Sequence, residues 1–162
     1  MIFRAAMERD VATYVAFAVT AQAWLRERGL EQYVPAAHPA AAEVIATRVA
    51  AGSLIVVESD GKPAGFFSLE ETPSQWWPPD EVWALYLAGM VVGPRFRGQA
   101  VGSAIIAWCI DQARSRGCRA VRLDCHAGNP WLCRYYEGHG FALQGRLEQH
   151  PGYVGCLYER LV

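Results

Sequence analysis

Met90-Val91-Val92-Gly93-Pro94-Arg95-Phe96-Arg97-Gly98-Gln99-Ala100-Val101-Gly102-Ser103 is the stretch whose reading decides the fold. It contains the end of a strand, a Gly-Pro break, a basic loop with glycines, and the first turn of a helix expected over 101–116. Gly93 and Pro94 stop the strand. Gly98 and Gly102 carry no Cβ, so a ligand can approach their backbone. The following helix starts with N–H groups that lack intrahelical acceptors and with the positive end of its dipole. Such a loop can hold a pyrophosphate through backbone amides. A lone Gly-x-x-x-Gly is also an ordinary strand-to-helix turn, so the rest of the chain has to decide.

The chain has 162 residues, which suits a single domain over 1–162 with a real core. Hydrophobic residues make up 52% and charged residues 19%, a globular composition. A net charge of −1 speaks against nucleic acid as partner. Lys62 is the only lysine, so the basic residues are otherwise arginine, the better bidentate partner of phosphate and carboxylate. Five cysteines (Cys109, Cys118, Cys125, Cys133, Cys156) form no Cys-x-x-Cys and suit reduced thiols in the cytoplasm. No apolar run is long enough for a membrane span. A metal site from Cys118, Cys125, His126 and Cys133 has no recognised ligand spacing, so no metal is expected.

Outward from the loop, the chain alternates between strand and helix patterns. A strand is expected at 2–5. A helix follows with Glu8 and Asp10 in its first turn and Val11, Tyr14, Val15, Ala18 and Leu25 at helical spacing. Pro39 opens a second helix. Strands at 53–58 and 64–70 flank the hairpin signal Asp60-Gly61. A loop with Trp76 and Trp77 precedes a long apolar strand at 82–92. After the loop and its helix come a strand at 120–125, a short helix starting at Asn129-Pro130, and two strands at 141–147 and 153–161. The unit 82–125 should be a right-handed parallel crossover. The class is α+β, with a mixed, mostly antiparallel sheet.

Three features in register resemble the GNAT superfamily of acetyl-CoA-dependent N-acyltransferases. They are the strand end Met90-Val91-Val92-Gly93-Pro94, the loop Arg97-Gly98-Gln99-Ala100-Val101-Gly102, and Asn129 followed by Tyr135-Tyr136-Glu137-Gly138-His139-Gly140-Phe141. The loop is similar to the family's Arg/Gln-x-x-Gly-x-Gly/Ala loop, and the last stretch resembles its Asn…Tyr-Glu-x-x-Gly-Phe segment. The match covers about 82–143. Ala100 departs from it, standing where the family has its first loop glycine. Alanine is costly there if φ is positive and unstrained if φ is negative.

The resemblance implies a central sheet with splayed, parallel fourth and fifth strands and helices on both faces. It implies acetyl-CoA as cofactor, with the pantetheine arm pairing with strand backbone at Met90, Val91 and Val92. Arg97, Gly98, Gln99, Ala100, Val101, Gly102 and Ser103 would supply amides to the pyrophosphate. Asn129 matches a side chain on the cofactor arm, and a helix cap explains it equally well. Tyr136 matches the general acid beside the sulfur. Asp124 sits where some family members carry a carboxylate base. Glu70, Glu71, Asp80, Glu81 and His126 are other candidates, as is a base acting through water. Trp24, Tyr33, Trp76 and Trp77 are candidate walls of an acceptor pocket, with a core or dimer contact as the alternative for each. The acceptor would be the primary amine of a small molecule or peptide. A non-catalytic acyl-CoA sensor with the same fold is the rival reading. An exposed closing strand would support a homodimer.

Overall fold

The computed structural model describes residues 1–162. Seven strands and four helices follow one another as β1 (Ile2–Ala5), α1 (Glu8–Arg26), α2 (Ala42–Ala50), β2 (Leu54–Ser59), β3 (Lys62–Glu70), β4 (Ala84–Val92), α3 (Val101–Ser115), β5 (Ala120–His126), α4 (Pro130–Gly138), β6 (Ala142–His150) and β7 (Tyr153–Leu161). The strand order is β1-β2-β3-β4-β5-β7-β6. β4 and β5 run parallel, while the β1–β2, β2–β3, β5–β7 and β6–β7 pairs are antiparallel. The mixed, mostly antiparallel sheet expected from the sequence is therefore present.

By its packing the chain divides into two compact units, one of Met1–Leu69 with Gly89–Ile105, the other of Glu70–Ala88 with Ile106–Val162. In the first, the alternation of side chains along β3 determines which helix covers which face. Phe66 meets α1, with its ring centroid 5.3 Å from Tyr14 and 5.8 Å from Phe17. Its neighbour Gly65 points the other way. A Cβ there would sit 3.2 Å from Val101 and 3.6 Å from Ile105, at the start of α3. The bare glycine thus lets the N-terminus of α3 come down on the sheet. Tyr14, Ala18, Leu54, Val56, Phe66 and Val91 form the buried centre of this unit. Arg4 ties β1 to the helix start, with Asp10 at 2.8 Å and Glu58 at 2.6 Å. Lys62 opens β3, exposed, just after the turn at Asp60 and Gly61. Both turn residues have positive φ, 51° and 71°, as a tight hairpin requires.

In the second unit the parallel ladder is short, pairing Ala84, Leu85 and Tyr86 with Ala120, Val121 and Arg122. β5 pairs along its whole length with β7, from Ala120↔Leu161 to His126↔Gly155. Trp77, Ala84, Tyr86, Ala120 and Leu157 form a buried cluster beneath the tryptophan loop.

Of the element boundaries that differ from the sequence expectation, three have a clear local cause. β4 begins at Ala84 and not at Val82, because the Asp80 side chain accepts the Val82 N–H at 3.1 Å and turns the chain there. α2 begins at Ala42, after a 3₁₀ turn at Pro39–Ala41, since His38 before proline is extended and supplies no side-chain cap. β6 reaches His150, because its pairing continues to His150↔Tyr153 at the rim of the Pro151-Gly152 turn.

Candidate active site

The end of β4 is shaped by a glycine that sequence periodicity did not single out. Gly89 has φ +60° in mid-strand, and a Cβ there would lie 2.8 Å from the Tyr14 hydroxyl. That hydroxyl donates to the Gly89 carbonyl at 3.3 Å. A left-handed residue inside a strand bends it, as a bulge does. Beyond it, the Val91 side chain belongs to the core, whereas Met90 and Val92 are half-buried. Gly93 lies against Phe17, where a Cβ would come within 2.6 Å of the ring, so α1 fixes the point at which the strand ends.

The loop that follows passes through a 3₁₀ turn at Pro94–Phe96 before α3. Gly98 has φ +77° and Ala100 φ +58°, with Gln99 between them at negative φ. Left-handed residues spaced in this way are one means by which a loop turns its amides to one side, where an anion can be held. Ala100 thus adopts the costly conformation, and its carbonyl accepts the Ala104 N–H at 3.0 Å as α3 starts. Arg97, Gly98, Gln99 and Ala100 are exposed, while Val101 is buried against the sheet. The Arg97 guanidinium lies 4.8 Å from the centre of the Trp24 ring, and that of Arg28 lies 3.9 Å from it. Trp24 therefore steers an arginine of the loop. These groups fit a diphosphate: an exposed loop backbone with two left-handed residues, a helix N-terminus and a guanidinium held over Trp24.

In the second unit, β5 and α4 carry the titratable groups. Asp124 accepts a 3.0 Å bond from the Gln149 amide of β6. Burial pushes its carboxyl above the usual carboxylate range, and the Gln149 bond partly offsets this. Asn129 is 4% exposed and accepts the Leu132 N–H at 3.2 Å, capping α4. Tyr136 is 6% exposed and packs edge-on against Phe141, at 5.9 Å between centroids. Burial, with lesser contributions from Cys125, Tyr135 and Asp124, holds its phenol well above its ordinary value. Such a phenol stays protonated at neutral pH, as a proton donor must. All five cysteines are free thiols, and Cys125 and Cys133 lie 3.9 Å apart.

The remaining candidates fall into different environments. Asp80 grips Arg122 through both oxygens, at 3.0 and 2.6 Å, and is held below the usual carboxylate range, a poor setting for a base. Glu71 pairs with Arg116. The His126 ring stacks on Tyr153 at 4.1 Å. Tyr33 stacks on His38 at 4.5 Å in the first unit. Trp76 meets His150 edge-on at 5.5 Å, and Trp77 is buried against Tyr86 and Arg122. Positioning residues that the sequence reading missed are Tyr14, Phe17, Gly65, Gly89 and Gln149. The one signal available was an isolated glycine inside a strand pattern.

No helix is long and apolar enough to cross a membrane. The model of a family described as acetyltransferase (GNAT) family matches residues 18–141, more than half of the chain. An uncharacterized N-acetyltransferase, YesJ of Bacillus subtilis (strain 168), is 26% identical over 145 residues, which span 86% of this chain and 81% of the relative. Among solved structures, a GNAT-family acetyltransferase from Listeria monocytogenes 4b F2365 superposes with a TM-score of 0.79 at 24% identity. That match covers 99% of this chain and 94% of the other. A ribosomal-protein-alanine N-acetyltransferase from Brucella melitensis superposes with a TM-score of 0.68 at 20% identity, over 100% of both chains. At such identities these structures speak for the fold alone.

Proposed function

We propose, since the chain belongs to the acetyltransferase (GNAT) family, that it is an N-acetyltransferase moving the acetyl group of acetyl-CoA directly to a primary amine of a small molecule or peptide. The observation that carries this reading is the left-handed Ala100 two residues after left-handed Gly98. An alanine is kept in so costly a conformation where the backbone, and not the side chain, does the work. Here the amides of Arg97, Gly98, Gln99, Ala100, Val101, Gly102 and Ser103 hold the diphosphate, assisted by the N-terminus of α3. The backbone at Met90 and Val92 pairs with the pantetheine arm, and Asn129 contacts the same arm. Free thiols suit work in a reducing cytoplasm.

Acetyl-CoA, when bound, supplies a thioester carbonyl at which an amine forms a C–N bond as the C–S bond breaks. Asp124 takes the proton that the amine gives up, and its raised affinity for protons suits that task. Tyr136 delivers a proton to the departing sulfur, so the products are an N-acetyl amine and a free thiol. A phenol is protonated at neutral pH and so holds the proton it donates.

The test combines calorimetric titration of coenzyme A with thiol release from acetyl-CoA across a panel of amines. Coenzyme A should bind, and Tyr136→Phe should lower kcat by roughly 100-fold or more while leaving the coenzyme A dissociation constant within about twofold. Equal turnover in the variant removes Tyr136 as the acid. Binding without acetylation of any amine would point instead to a non-catalytic sensor.

A further inference from the structure

The tryptophan loop of the second unit has a feature that folding alone does not account for. Trp76, Trp77, Arg122, Arg146, Leu157 and Glu159 are among the walls of a groove of about 720 Å³. That size falls in the range of small-molecule sites, roughly 300–1,000 Å³. Trp77 is 7% exposed, and its Nε1 is buried with no acceptor in the protein. The Ser74 hydroxyl, three residues earlier, is buried and unbonded too. Buried donors without acceptors oppose folding, and native chains keep few of them. The Trp77 ring is already fixed without its N–H, by the Arg122 guanidinium 4.5 Å from its centre and by the edge of Tyr86.

The charges around the groove are specific as well. Arg122 is 3% exposed and held between Asp80 at 2.6 Å and Glu159 at 2.7 Å, two carboxylates on one guanidinium. The exposed Arg146 at the rim balances the second carboxylate, so the lining carries no net charge. Asp124 stands two residues beyond Arg122 on β5, hence on the same face of the sheet. Gln149, its partner, lies on β6 two residues beyond Leu147, another wall of the groove.

We propose that this groove is the acceptor subsite, and that it selects small primary amines bearing an aromatic or branched apolar body and an oxygen that accepts the Trp77 N–H. The inference rests on the transferase reading above. Aromatic walls hold the apolar body. The oxygen satisfies a donor that the fold leaves unmet.

Three probes separate these contributions: L-phenylalaninamide, 2-phenylethylamine, which lacks the carboxamide, and ethylamine, which lacks the ring as well. Direct calorimetric titration and thiol release should rank them in that order, with phenylalaninamide favoured over phenylethylamine by about tenfold, the scale of one hydrogen bond. Trp77→Phe keeps a ring and deletes the N–H. It should collapse that ratio to near one, leave the acetyl-CoA dissociation constant unmoved, and melt no lower than the wild type. Trp76→Ala, at a half-buried position, tests the ring contribution independently and should narrow the gap between phenylethylamine and ethylamine. A wild type that handles all three amines alike, or a Trp77→Phe protein that keeps the tenfold preference, overturns the groove assignment. Absence of heat with acetyl-CoA overturns the transferase reading instead, and the amide preference in direct titration still decides the groove.

Discussion

Ala100 is the one residue other than glycine with a left-handed backbone in the loop between β4 and α3. Its φ of +58° is one that glycine adopts freely and alanine does not. Nothing in its composition announced this, since alanine is equally at home on the first turn of a helix. Replacement by glycine relieves the strain at some cost in unfolded-chain entropy. Ala100→Gly should therefore stabilise the protein by about 0.5–1 kcal/mol in chemical denaturation and bind coenzyme A within twofold of the wild type. A destabilised variant would show that the alanine is not strained. Asp124 gives the opposite kind of prediction. Its carboxyl is raised by burial, so stability is greatest below the ordinary carboxylate pKa and falls as pH rises through the raised value. Asp124→Asn should thus melt higher than the wild type at pH 7, with the two curves converging at acid pH. Its kcat should drop roughly 100-fold or more if Asp124 is the base.

At the scale of elements, β6 and β7 set the behaviour of β5. Gln149 donates to Asp124, and Gly155 makes room for it, since a Cβ at Gly155 would lie 2.6 Å from the Gln149 amide. A donor to a carboxylate favours the charged form, so its loss moves the carboxyl further up. Gln149→Leu should shift the acidic limb of kcat/KM towards higher pH by roughly one unit, the worth of one charge-assisted hydrogen bond. Gly155→Ala, which displaces Gln149 without removing it, should shift that limb in the same direction. An unmoved limb in both variants would mean that Asp124 does not govern the pH profile. None of this was legible beforehand, because Gln149 lay beyond the expected end of its strand at 147, and a cross-strand partner follows from register, not composition.

For the whole molecule, the punctuation of the chain carried most of the architecture. Asp60-Gly61, Gly93-Pro94, Asn129-Pro130 and Pro151-Gly152 all interrupt the chain where elements begin or end. Their backbone preferences are local, so they survive without tertiary knowledge. The division into two packing units, the bend at Gly89 and the unmet Trp77 donor are products of long-range contact, and periodicity is silent about such contacts. Each unit also carries an aspartate gripped by a half-buried or buried arginine, Asp10 by Arg4 and Asp80 by Arg122, and both are held below their ordinary range. Groups so depressed stabilise the fold above the ordinary carboxylate pKa and lose that contribution as pH falls through the depressed values. Asp10 is 5% exposed and also accepts the Met7 N–H at 2.8 Å. Asp10→Asn should cost about 2 kcal/mol at pH 7, and the gap to the wild type should close as the solution is acidified. A gap independent of pH would assign the loss to packing and not to charge.

The turn between β2 and β3 has one more consequence. Lys62, exposed at its rim, is the only side-chain amine in the chain. A catalyst that decorates amines has almost no lysine of its own to decorate. Intact-mass spectra taken after long incubation with a large excess of donor should therefore show at most one adduct on a lysine, and Lys62→Arg should erase it. Any slow loss of donor that persists in that variant then reports chemistry on added amines or on water, not on the protein's own lysine.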